Sequence, residues 1–173
     1  MLAAMRPNDA RYTTIPLPAG SPSLDATVRA VVMSWPVINP LSRYRHAKRA
    51  LQAANPPAWP NSIIGRQDSY WRSEEAMGEG NPMLALERGE KVQTPPAVWF
   101  QGREDTLHDY KDAESSFDGN EPQRFVANYR KAGGSIALEY IDMARGVGSS
   151  PDLAKTGDMF DRMVAFIRKN VTA

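Results

Sequence analysis

The chain holds 173 residues, 42% hydrophobic and 24% charged, the make-up of one globular domain. A net charge of +1 gives no electrostatic case for nucleic acid or an anionic membrane surface as partner, and no apolar run approaches the roughly 20 residues that span a bilayer. The absence of cysteine removes disulfides, thiolate zinc sites and a cysteine nucleophile together.

Residues 1–5 have the composition of a helix end, stopped by Pro7. They lack the basic start and longer apolar stretch of a secretory signal, so a cytoplasmic location is expected. Residues 12–27, with Pro16, Pro18, Gly20 and Pro22, read as an irregular loop. Val28–Trp35 is rich in β-branched residues and closed by Pro36, which predicts a strand. Arg43–Ala54 predicts a helix, with Tyr44, Ala47 and Leu51 on one face and Arg43, Arg45, Lys48 and Arg49 on a solvated one. His46 on this helix is expected at the surface. Pro56, Pro57 and Pro60 are expected to break the chain off there. Short helices follow at Ser69–Met77 and at Pro82–Arg88, the second capped by Asn81.

Residues 97–100 are apolar without alternation, as in a strand buried on both faces of a parallel sheet, and Ala97–Gln101 is the predicted central strand. Thr106–Gly119 is a polar loop holding His108, Asp109 and Asp112. Asn120 caps a helix over Glu121–Ala132, ended by Gly133-Gly134. Ile136–Ile141 is the last strand, and a Gly/Ser-rich loop leads to a final helix capped by Thr156 or Asp158. The alternation predicts an α/β domain with a mainly parallel sheet of about three core strands, crossover helices between them, and strand 97–101 in the middle.

Chemistry in a parallel sheet gathers at the carboxyl ends of the strands, which puts Asp105, three residues beyond Gly102, at a catalytic position. The segment Pro95-Pro96-Ala97-Val98-Trp99-Phe100-Gln101-Gly102-Arg103-Glu104-Asp105 resembles the piece of α/β-hydrolases, of carboxylesterase and lipase type, that carries the acid of a Ser-Asp-His triad. The resemblance covers essentially all of residues 1–173. It implies that the three strands correspond to the sixth, seventh and eighth of that fold, that residues 36–90 stand where a cap or lid is inserted, and that this is the carboxy-terminal part of one partial domain.

On that resemblance Asp105 is the residual triad acid, with Glu104 a weaker rival. No Gly-x-Ser-x-Gly elbow occurs in the chain, so the nucleophile is expected upstream of residue 1. The family's base follows the eighth strand, where this chain has no histidine; Arg145 or Ser149 marks the position of the lost base, and neither can serve as one. His108 shares the loop of Asp105, whereas the family's base comes from another loop. Asp109 and Asp112 lack the tight spacing of an all-oxygen metal site, and no cofactor is expected. The expected function is therefore a carboxylic-ester-hydrolase type of domain, inactive on its own. A non-catalytic binding module on the same scaffold is the alternative, and a small ester-like molecule is the ligand in either case. The expected protein partner is a second copy or a separate amino-terminal half, docked on the open edge of Val28–Trp35.

Overall fold

A computed structural model describes residues 1–12, 18–22, 26–103, 105–141 and 153–171. Its order is α1 (Leu2–Met5), β1 (Val31–Ser34), α2 (Pro40–Leu51), α3 (Trp59–Trp71), α4 (Glu74–Glu79), α5 (Pro82–Glu87), β2 (Ala97–Gly102), α6 (Glu121–Lys131), β3 (Ile136–Ile141) and α7 (Leu153–Val171). The three strands form one open, all-parallel sheet in the order β1-β2-β3. The sequence expectation of an α/β chain with residues 97–101 in the middle therefore holds.

Because successive side chains of a strand point to opposite faces, the central strand builds two cores. Ala97 and Trp99 face α5 and α6, where they meet Met83, Leu86, Phe125 and Tyr129, with Met5 of α1 and Met33 of β1. Val98 and Phe100 face α7, where Met159 is buried and Met163 and Phe166 lie against them. Every residue of β2 is buried. That explains its unbroken apolar run.

Several boundaries differ from the sequence reading. β1 is only Val31–Ser34: residues 28–30 lie outside the strand, and at its far end Trp35 turns the backbone into the left-handed region at φ 47. α2 starts earlier, at Pro40: Asn39 accepts from the Ser42 amide, and a proline at the first turn costs no hydrogen bond. Pro60 is no breaker but part of the first turn of α3, a helix the sequence reading missed, and the predicted helix at 69–77 is the end of α3 plus α4. α7 begins at Leu153, ahead of both predicted caps, and runs through Gly157 despite its cost of about 1 kcal/mol in a helix interior.

Behind the core, three helix starts meet in one buried polar network. Asn39, the cap of α2, donates to Glu121 Oε2 at 2.8 Å and accepts from Asn81 Nδ2 at 2.8 Å, while Asn81 caps α5. Glu121 opens α6 and accepts from Arg124 Nη1 at 2.8 Å. Arg124 also grips Glu87 of α5 through two bonds of 2.7 Å and reaches Asp112 at 3.1 Å. Burial pushes the Glu121 carboxyl above its ordinary range, and the Arg124 contacts only partly offset that. Removing the guanidinium would strand two buried carboxylates. Arg124→Met should cost about 3–5 kcal/mol in chemical denaturation, the range for breaking a buried ion pair from one side. A loss below about 1 kcal/mol would mean the network is solvated.

Candidate functional site

The loop after β2 folds on Asp105. The Asp105 carbonyl accepts the amides of His108 at 3.2 Å and Asp109 at 2.7 Å, and its Oδ1 accepts the Leu107 amide at 3.0 Å. Those bonds curl the chain so that His108 Nδ1 lies 2.8 Å from Asp105 Oδ2. The sequence reading set His108 aside because it shares the acid's loop; the structure joins the two through that same short loop.

Behind the pair stands a buried relay. Trp99 Nε1 donates to Gln101 Oε1 at 3.0 Å, and since the indole can only donate, this fixes which end of the amide is oxygen. Gln101 Nε2 is thereby turned to Asp105 Oδ2, at 3.2 Å. Burial alone would raise the Asp105 carboxyl, but the bonds from His108, Leu107 and Gln101 outweigh it and hold the group below its ordinary value. An ionised Asp105 can only accept, so Nδ1 of His108 carries the proton. In the neutral ring Nε2 then offers its lone pair, and it has no hydrogen-bond partner within the described residues.

His108 lines a small cleft beyond the carboxyl ends of β1 and β2, together with Val37, Asn39, Arg43, Leu107 and Tyr110. It is half open, and its inner space is about 10 Å³, room for one water-sized group. Arg43 is the cation of this cleft. It was expected on the solvated face of α2, yet burial pulls its pKa down, Asp105 and Tyr110 act on it only from a distance, and its Nε is buried without a hydrogen-bond partner. The other basic residues of α2 are engaged elsewhere: Arg45 with Glu74 and Glu114, Lys48 with Glu74, Arg49 with Glu114 and Asp112.

Tyr110 forms the wall opposite. Its hydroxyl is 3.0 Å from Ser42 Oγ, and burial raises its pKa well above the ordinary phenol value. The ring stacks on His46 at 4.1 Å and 5°, and His46 stacks in turn on Trp59 at 5.4 Å and 24°. His46 is thus half-buried rather than at the surface.

Asp109 is raised, first by burial and then by the Asp105 charge, and it meets Asn120 and Tyr140; Asp112 belongs to the Arg124 network. Among the described residues no group of three or more His, Asp or Glu side chains could hold a metal ion, and no helix is long and apolar enough to cross a membrane. Glu104, Arg145 and Ser149 lie outside the described residues. A wider groove at the other end of β2, between residues 5–11 and 90–93, carries Arg6 and Arg11 already bonded to Glu79, Glu90 and Asp9.

The sequence set Arg43 only among four basic residues of a solvated helix face, and it offered no signal for Tyr110. Each is one polar residue in a polar stretch, and only the meeting of α2 with the β2 loop makes them neighbours.

His46 yields a pH test. Burial lowers its folded pKa below the ordinary 6.5, so the unfolded chain takes up that proton first as pH falls. The stacked, neutral ring contributes stability above about pH 6.5 that is lost as pH falls through it. His46→Phe keeps the ring without the titration. Its unfolding free energy relative to wild type should therefore rise between about pH 7.5 and about pH 5.5, and a constant difference would show that the imidazole is hydrated.

No protein-family model and no curated protein matches the sequence, so no family is assigned and the chemistry rests on these residues.

Proposed function

We propose that this chain is an α/β-hydrolase-type domain, of the carboxylic-ester-hydrolase kind, whose cleft beyond β1 and β2 admits one carboxyl oxygen of a small ester-like molecule, the rest of which stays outside, without turning it over. The observation that carries this is the oriented pair Asp105–His108, at 2.8 Å, facing the half-buried guanidinium of Arg43 across one cleft. Asp105 holds the imidazole and fixes its tautomer; His108 Nε2 is available to hold or take a proton; Arg43 supplies positive charge for a carbonyl or carboxylate oxygen. A bound anion would give the half-buried Arg43 the hydrogen bond its Nε lacks, and a low-dielectric wall strengthens that attraction. On this reading the helices of residues 36–90 correspond to the cap that the resembling family carries.

What the site lacks is a nucleophile. No Gly-x-Ser-x-Gly occurs in the sequence, and no serine hydroxyl bonds His108 within the described residues. A base that has nothing to activate leaves little rate, since triad members act as a unit.

Two measurements test this. Acetate, titrated against the protein in nuclear magnetic resonance, should shift the His108 ring signals, and Arg43→Gln should weaken its affinity at least about tenfold. Unmoved His108 signals would overturn the binding reading. p-Nitrophenyl acetate should hydrolyse no faster with wild type than with Asp105→Asn, and a fluorophosphonate should leave no adduct. A stoichiometric adduct on a serine would overturn the claim of no turnover.

A further inference from the structure

α7 carries more apolar surface than the sheet uses. Met159, Met163 and Phe166 face the strands, while Phe160, Val164, Ile167 and Val171 remain 43–50% exposed. At 100° per residue these four cluster on one flank of the helix, about a quarter-turn from the sheet-facing side. The other flank is fixed by Arg162, which reaches Glu139 on β3. The apolar flank therefore lies on the β1 side, beside the open edge of the sheet.

That edge is unpaired among the described residues. Val31 N donates to Pro96 O and Trp35 N to Phe100 O, so odd-numbered residues of β1 bond β2, and the backbone groups of Val32 and Ser34 point outward. An apolar helix flank thus continues into a free strand edge.

We propose that this combined face is a homodimer interface, in which β1 pairs antiparallel with β1 of a second copy and α7 packs antiparallel on its equivalent. The stripe is self-complementary. Its spacing of four, three and four residues is that of a two-helix seam, and it is symmetric about the midpoint between residues 165 and 166. An antiparallel partner therefore sets Phe160 against Val171 and Val164 against Ile167. The same register brings Asp161 of one copy beside Arg168 of the other, twice. The dimensions agree as well. α7 touches both β1 and β2. With strands about 4.8 Å apart, a helix over that pair lies about 5 Å from the two-fold axis, so the two helices run about 10 Å apart, a normal packing distance. A two-fold of this kind makes one six-stranded sheet and closes on itself.

Sedimentation equilibrium of the full chain tests it. Wild type should be dimeric, and Ser34→Pro, which removes an outward amide on an exposed residue, should weaken the dimer at least about tenfold. Val164→Glu on the helix flank should do the same, both variants keeping the wild-type circular dichroism. Asp161→Arg should weaken association and the Asp161→Arg, Arg168→Asp double variant should restore it, an outcome that misfolding cannot mimic. A wild-type monomer at every concentration, which would leave the face to a different polypeptide, overturns the proposal. So does a dimer that survives both Ser34→Pro and Val164→Glu.

Discussion

Arg124 is the residue on which the rest of the described fold depends. Its guanidinium sits among Glu87, Asp112 and Glu121, and through Glu121 and Asn39 it ties the starts of α2, α5 and α6 to one point. Each helix start brings amide donors that need partners, and three starts buried together would be costly without this network. A charged cluster of this kind is a weak source of net stability but a strong constraint on arrangement. It fixes where α2 begins, and so where Arg43 stands relative to the β2 loop. Ser42, next to Arg43, is held by the Asn39 cap and by Tyr110, so the cleft inherits its geometry from the network behind it.

Much of the fold was legible in the sequence because local and global signals agreed. The apolar run Ala97–Phe100, the cap Asn120 with Gln123 three residues on, and the Gly133-Gly134 stop each point to the element that forms. Pro60 misled because its position in the helix decides its effect: it lies in the first turn of α3, and no capping side chain precedes it to mark a start, as Asn39 and Asn81 do for α2 and α5. The shortening of β1 was not readable either, since tryptophan is a good strand residue and nothing local announces its left-handed backbone at position 35.

The site was half legible. Asp105 could be singled out because strand, glycine and carboxylate occur in order. His108 could not be joined to it by family logic, which looks for a base on a different loop, although a three-residue separation with a tight turn is enough to bring a ring nitrogen onto the carboxylate. Arg43, Tyr110 and His46 come together only through the packing of α2 on the loop, at sequence separations that no periodicity reports.

The two faces of the sheet are covered very unequally. α5 and α6 pack a continuous aromatic core on one side, whereas α7 alone covers the other and commits one fully buried residue of those described, Met159, to it. Local opening free energies follow such differences, so α7 is the element that detaches first while the α5–α6 side stays protected. Its amides would exchange with solvent ahead of those of β2. A second copy covering its outer flank would slow that exchange by mass action, and the order of this helix would then rise with protein concentration.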